Sequence, residues 1–515
     1  MTTGKVYLIG AGPGDPGLIT LKAITCLKKA DVVIYDFLAS RRLLIHAPKG
    51  VEAIYVGKKG GGHAVSQSDI NDILVAKAKA GLTVARLKGG DPFIFGRGGE
   101  EAEILVAEGI KFEIIPGISS AISGPAYAGI PVTHRRYTAT VAIITGHEDP
   151  SKEDSKIEWE KIATGAGTLV FLMGMKNIFQ ITEKLILHGR SHETPAAIIM
   201  WATTGKQTTI TGTLGNIAQL SQDAGCKPPA VIVIGEVVRL RNILNWFEMK
   251  PLFGKTIVVT RARDQASGLL ERLEDLGAEC LEVPTIQVAP ISDWSSIDQT
   301  LGMLETFNWV VFSSANGVEF FFNRLYQTGR DARALHKAKI CAVGPATAES
   351  LKMHGLQAEL IPDDYKAEGL LEALAGVAVK EDRVLIVRPE QARTVLQEGL
   401  RRKGVFVEEA CIYKTIPATP DMEYLKERLR EKSIDLITFT SSSTVNNFNQ
   451  LFSKEERECL LSRVHVACIG PVTRDTAHEF KMQVTLVPEQ YTIDSLCEAI
   501  VQCYGRKDTT NSMDS

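Results

Sequence analysis

The 515-residue chain is 44% hydrophobic and 23% charged, enough apolar material for several cores of roughly 100 to 200 residues each, so two or more domains are expected. Lys and Arg number 58 against 61 Asp and Glu, a net charge of -3, which lacks the basic footprint of a nucleic-acid binder. The nine cysteines are scattered and form no C-x-x-C pair; they argue against a disulfide framework or zinc knuckle and for free thiols in a reducing cytosol, with no metal expected.

The first residues run into an apolar stretch at 6–9 with no charged leader or small-residue cleavage site. No run approaches the roughly 18 to 20 apolar residues that span a bilayer, so a cytoplasmic chain without a membrane partner is expected. Val/Ile-rich runs at 6–9, 32–35, 84–87, 113–115, 141–145 and 169–173 alternate with helical stretches, the pattern of an α/β fold. The charged segment 151–161 reads as a solvated loop entering a helix. A helix carrying Leu240, Ile243, Leu244, Trp246 and Phe247 is predicted to end before Pro251, and Gly254 precedes a new strand at 257–260. Proline and glycine thus mark a linker at 248–254.

Gly10-Ala-Gly-Pro-Gly-Asp15 lies between a strand and a helix expected from Leu18. It is a poor dinucleotide fingerprint: Asp15 stands where a third glycine belongs, Pro13 stiffens the turn, and no G-K-[ST] follows. Taken alone, it fits a tight structural turn as well as a ligand site. A second cluster, Arg86-Leu-Lys-Gly-Gly-Asp-Pro-Phe-Ile-Phe-Gly-Arg-Gly-Gly-Glu-Glu101, also follows a strand. Two glycine-rich strand ends let backbone approach a flat ligand from two sides. With no run of amides arranged for a pyrophosphate, adenosine with a short charged tail fits better.

The segments V-Y-L-I-G-A-G-P-G-D-P-G, V-G-K-K-G-G-G-H, R-L-K-G-G-D-P-F-I-F-G-R-G-G-E-E, A-Y-A-G-I-P-V-T-H-R and V-I-V-I-G-E-V-V make residues 1–247 resemble uroporphyrinogen III C-methyltransferase. The resemblance implies two α/β subdomains with S-adenosylmethionine between them, two methyl transfers giving precorrin-2 for siroheme or cobalamin, and a homodimer. By motif it implies cofactor contacts from Pro13, Gly89, Gly90, Asp91, Ile94, Ser119, Ser120, Met173 and Ala202. Asp91 suits the ribose or amino acid end and Met173 the adenine. Ser119-Ser120 departs from the commoner Thr-Ala, and Ala202 from glycine. Asp36 resembles the family's proton acceptor and Lys58 its proton donor, although a strand-end aspartate is often a cap and a lysine beside Lys59 often solvated. The substrate carries eight carboxylates, which makes Arg97, His134, Arg135 and Lys59 candidate partners.

The second half repeats itself. Arg261 ends Ile257-Val-Val-Thr-Arg and Arg388 ends Leu385-Ile-Val-Arg, 127 positions apart, as are Phe312 and Phe439. Ala342-Val-Gly-Pro-Ala-Thr347 matches Cys468-Ile-Gly-Pro-Val-Thr473 at 126, and Pro362 and Pro488 keep that offset. Each unit suits a doubly wound parallel sheet with its site at the strands' carboxyl ends.

With F-S-S-A-N-G-V, P-D-D-Y-K-A-E-G-L-L, C-I-Y-K-T and F-T-S-S-S-T-V-N-N-F, residues 255–505 resemble uroporphyrinogen III synthase. This implies two lobes, 255–288 plus 417–505 and 289–416, joined by a two-stranded connection and closing hydroxymethylbilane into a ring between them with inversion of the last pyrrole. Tyr413 matches the tyrosine that assists departure of the hydroxyl, and Thr347, Ser442 and Thr473 match carboxylate-holding residues. Tyr413 also reads as an ordinary half-buried strand tyrosine. Residues 506–515 are expected to be a disordered tail. The alternatives are a first half that methylates a later corrin intermediate, or a second half that binds tetrapyrroles without reacting.

Overall fold

The computed structural model describes residues 4–57, 65–147, 156–261, 263–365, 367–391, 394–418, 420–462 and 464–505. Two compact units divide the chain: Met1–Thr256, Leu273–Glu279 and the residues from Tyr504 form the first, and Ile257–Arg272 with Cys280–Cys503 form the second.

The first unit contains two five-stranded sheets. One is built from β1 (Lys5–Gly10), β2 (Val32–Tyr35), β3 (Glu52–Tyr55), β4 (Val84–Lys88) and β5 (Lys111–Ile115) in the order β3-β2-β4-β1-β5. All its pairings are parallel, and every residue of β2 and β4 is buried, as expected when helices cover both faces. Alternate residues feed two apolar clusters: Val6, Leu8, Ile34 and Val84 on one face, and Tyr7, Ile9, Val33 and Leu87 on the other. β1 leads to β2 on one side and β4 to β5 on the other, so the adjacent ends of β1 and β4 form a switch point, where α/β sheets take ligands.

The second sheet comprises β6 (Val141–Thr145), β7 (Thr168–Leu172), β8 (Pro195–Met200), β9 (Thr208–Thr213) and β10 (Ala230–Ile234), ordered β6-β7-β10-β8-β9. β10 runs antiparallel to both neighbours. β7 and β8 therefore point the same way, and the residues after them share an edge.

Two helix expectations need correction. The helix placed at Leu18 is a single 3-10 turn, Pro16–Leu18, followed by a helix at Leu21–Leu27, because Asp15 and Thr20 each cap a separate start. The helix ending near residue 250 stops at Leu244. Trp246 and Phe247 lie beyond it, their rings 5.1 and 4.7 Å from that of Tyr127, and the Trp246 indole donates to the Ala126 carbonyl at 3.0 Å. Packing has overridden helical periodicity there.

In the second unit, β11 (Thr256–Val259), β12 (Glu279–Glu282), β13 (Ile286–Pro290), β14 (Trp309–Phe312), β15 (Lys339–Ala342), β16 (Arg383–Pro389), β17 (Phe406–Pro417), β18 (Leu436–Phe439), β19 (His465–Cys468) and β20 (Gln483–Leu486) form two sheets. Their orders are β12-β11-β18-β19-β20 and β13-β17-β16-β14-β15. The repeat is visible here: β12-β11-β18-β19 and β17-β16-β14-β15 are the same arrangement, with Arg261 and Arg388 at equivalent strand ends. The second sheet is not wholly parallel, as β13 pairs antiparallel with β17, Ile286 opposite Pro417. The 12-residue β17 outruns β16, and its tail takes β13, so the chain leaves one sheet and returns through paired extended segments.

Candidate functional site

In the first unit the two glycine clusters meet. Gly12 and Gly90 exchange backbone hydrogen bonds, Gly90 N to Gly12 O at 2.7 Å and Gly12 N to Gly90 O at 3.2 Å. A Cβ on Gly117 would lie 2.3 Å from Gly90 O and 2.6 Å from Gly10 Cα, so the loops after β1, β4 and β5 touch through bare backbone. Asp91 fastens them, accepting Phe93 N on Oδ1 at 2.8 Å and Gly117 N on Oδ2 at 3.0 Å. Ser119 caps the helix Ser120–Tyr127, and a Cβ on Gly90 would meet little besides Ser119 Cα at 3.8 Å. Gly89, Gly90, Asp91, Ser119 and Ser120 are thus brought together.

The second sheet completes the site. A Cβ on Gly14, one residue after Pro13, would press on Thr204 Cγ2 at 2.7 Å and Ala202 O at 3.2 Å. The Thr203 hydroxyl accepts Asp15 N at 3.1 Å, and the Tyr127 hydroxyl donates to Asp15 Oδ2 at 2.6 Å, so the β1 loop is pinned to the edge formed by β7 and β8. Met173 and Trp201 follow those strands with left-handed φ of 58° and 47°, Thr203 with 67°, and Phe95 and Arg97 share that conformation at 52° and 59°. Non-glycine residues hold such backbone only where the surroundings enforce it, and they gather at functional sites. Met173, Ile94, Phe37, Phe93 and Phe95 all expose apolar surface, and the Phe37 ring meets that of Trp201 edge-on at 5.9 Å.

Asp36 immediately follows β2, where one carboxylate oxygen accepts Leu38 N at 3.1 Å and the other faces Arg86 Nη2 at 3.2 Å. The carboxylate thus closes a turn rather than capping a helix, since the next helical turn, Arg41–His46, starts at Ser40. Arg86 is buried, with its Nε 3.4 Å from Glu101 Oε1, which Lys88 Nζ approaches at 2.7 Å and Gln67 Nε2 at 3.1 Å. Glu101 Oε2 is buried without a hydrogen-bond partner among the described residues. Burial, reinforced by neighbouring Arg86, pushes the Lys88 ammonium below its ordinary range. Such a network is costly to desolvate, and it lies directly beneath the Gly89–Asp91 loop. No sequence signal separated Arg86, Lys88 and Glu101 from the motif around them; Asp15, Tyr127 and Thr203 could be found only in the fold.

Not every candidate joins this cluster. Arg97 is exposed and already forked onto Glu100, Nη2 to Oε2 at 2.6 Å. His134 and Arg135 lie in the turn closed by His134 N to Thr138 O. That turn leads to Thr140, whose carbonyl accepts Thr168 N at the start of β7, so it lies at the opposite end of β7 from Met173. Lys58 and Lys59 lie outside the described residues.

In the second unit Tyr413, on β17, is buried, its hydroxyl 2.8 Å from Ser314 Oγ and its ring stacked 5.7 Å from Phe320. Burial raises the phenol above its ordinary value, and the Ser314 bond opposes this only partly. Ser314 also caps the helix Ala315–Gln327 after β14. Thr347 and Thr473 are buried in the first turns of Pro345–Met353 and Pro471–Glu479, helices whose caps, Gly344 and Gly470, provide no side-chain acceptor. Ser442 opens the helix Ser442–Gln450 and donates to Val472 O at 3.2 Å. Thr347, Ser442 and Thr473 therefore follow parallel strands, Thr347 after one sheet and Ser442 and Thr473 after the other, whereas Tyr413 lies within β17, opposite Pro290 of antiparallel β13. Among the described residues no group of three His, Cys, Asp or Glu is placed to hold a metal, and no helix is long and apolar enough to cross a membrane.

Residues 5–218 match the family model for tetrapyrrole (corrin/porphyrin) methylases, and 267–498 that for uroporphyrinogen-III synthase HemD. A porphyrin biosynthesis protein HemD of Ruminiclostridium josui is 36% identical over 505 residues, 98% of this chain and 99% of the relative. An S-adenosyl-L-methionine-dependent uroporphyrinogen III methyltransferase of Methanosarcina barkeri is 54% identical over 242 residues, 47% of this chain and 95% of the relative. The crystal structure of a Thermus thermophilus uroporphyrin-III C-methyl transferase with S-adenyl homocysteine is 39% identical, covering 46% of this chain and 100% of that one at a TM-score of 0.40.

Proposed function

Because the chain belongs to the family in which a tetrapyrrole methylase is fused to a uroporphyrinogen-III synthase, we propose that residues 255–505 make uroporphyrinogen III from hydroxymethylbilane and residues 1–247 methylate it twice to precorrin-2. The observation that carries the methylation reading is the meeting of the two glycine loops beside Asp36. Their bare backbone, with Met173 and Ile94 exposed nearby, offers a flat, phosphate-free seat that suits S-adenosylmethionine. Pro13, Gly89, Gly90, Asp91, Ile94, Ser119, Ser120, Met173 and Ala202 would hold that cofactor, which supplies an electrophilic methyl on a sulfonium when bound. Asp91 does so chiefly by shaping the loops, since both its oxygens already accept backbone amides.

Asp36 then takes the proton that the macrocycle must lose elsewhere when the methyl group adds to a fully substituted pyrrole carbon, with Arg86 fixing the carboxylate; Lys58 is the companion proton donor. Arg97 offers a carboxylate contact once it leaves Glu100, whereas the single-chain site does not include His134 or Arg135. In the synthase half, Tyr413 stays protonated and donates toward the departing hydroxyl, and the first turns bearing Thr347, Ser442 and Thr473 seat carboxylates at their positive helix ends. We place the enzyme in the cytoplasm as a homodimer joined through its methylase half, feeding siroheme or cobalamin synthesis.

Asp36→Asn tests the methylation chemistry: kcat for uroporphyrinogen III should fall about 100-fold or more while calorimetric affinity for S-adenosylhomocysteine is kept. An unaltered rate would remove Asp36 from the reaction.

A further inference from the structure

The internal repeat supplies its own control. Arg261 lies two residues past β11 and Arg388 at the next-to-last position of the equivalent β16, yet they have different surroundings. Arg388 has its Nε 2.7 Å from Glu409 Oε2, a salt bridge inside its own sheet. The glutamate 127 positions before Glu409 is Glu282, at the end of β12. No hydrogen bond or ion pair joins Arg261 to Glu282 or to any other described residue. Arg261 is nonetheless only partly exposed, and among the described residues burial alone, with no charged neighbour acting on it, depresses its guanidinium below the ordinary arginine value. A cation withdrawn from water without a counter-charge costs stability and is kept where a ligand provides the charge.

Its position fits that role. Continuing the β11–β18 register two steps past Val259 opposite Thr438 sets Arg261 beside Thr440, immediately before Ser441, which caps the helix Ser442–Gln450. Arg261 thus stands at the carboxyl edge of its sheet, in line with Ser442 and, one strand further, Thr473. Ligands of doubly wound sheets bind at this edge, and the guanidinium fork matches a carboxylate bidentately.

We infer that Arg261 is a substrate-binding residue of the synthase, pairing with a side-chain carboxylate of the linear tetrapyrrole and holding it in the folded form that inverts the last ring. The sister residue Arg388 is spent on structure, so the two lobes, alike in sequence, offer the substrate unequal charge.

The full-length chain is assayed with hydroxymethylbilane, and isomers III and I are separated after oxidation. Arg261→Gln should raise KM roughly 10- to 100-fold, the range for a lost charged hydrogen bond, and shift product toward isomer I, which forms spontaneously. Arg261→Lys should recover part of both. The unfolding temperature of Arg261→Gln should not fall, because an unpaired, partly buried charge leaves no orphan when removed. Methylation of supplied uroporphyrinogen III should be unchanged in both variants. An unchanged KM and isomer ratio would overturn the assignment. So would activity and unfolding temperature falling together without rescue by lysine, which marks a structural residue. Isomer I alone from the unmodified chain would overturn the synthase activity itself.

Discussion

Asp36 meets Arg86 across 50 positions of sequence, so the pair exists only in the folded sheet. Asp36 was legible because it follows a strand in a recognisable motif. Arg86 was not, because it occupies an inward position of a strand whose pattern calls for an apolar residue, and only Glu101 on a later helix explains how the charge is accommodated. If Arg86 acts through Asp36, the two should be non-additive. Arg86→Gln alone should lower methylation at least tenfold, yet cost little in an Asp36→Asn background. Full additivity in steady-state kinetics would show that Arg86 serves the fold alone. Tyr413 marks the limit of sequence at this scale: the strand reading and the functional reading were both available, and its buried hydroxyl beside Ser314 is compatible with either.

At the level of elements, the glycine loops were readable as clusters but not as a contact. Sequence places each after a strand; that Gly10, Gly90 and Gly117 meet depends on β1 lying between β4 and β5, which follows from tertiary pairing. Gly117→Ala must push its methyl against Gly90 O, 2.3 Å away, an overpacking of about 1 to 3 kcal/mol. Calorimetry with S-adenosylhomocysteine should show at least tenfold weaker binding, with synthase activity intact; wild-type affinity would mean that the crossing does not shape the seat. Helix boundaries fared less well than strands. Periodicity carried the helix past Leu244, but the aromatic contacts of Trp246 and Phe247 with Tyr127 draw the chain off the helical path. The two-stranded connection expected between the lobes is present as β13 paired with the tail of β17; its antiparallel direction leaves no mark in a short apolar run.

At the scale of the whole molecule, the α/β class and the fusion were legible, the first half from long specific motifs and the second from a repeat whose offset survives as matching strand orders in two sheets. The contrast between Arg261 and Arg388 was hidden, since the repeat aligns them and only their surroundings tell them apart. The central claim is that one chain makes uroporphyrinogen III and then methylates it, and the most direct test is incubation of the purified protein with hydroxymethylbilane and S-adenosylmethionine, followed by mass analysis of the product. The dimethylated type III product, precorrin-2, is predicted. Uroporphyrinogen I alone, or a trimethylated product, would contradict the account.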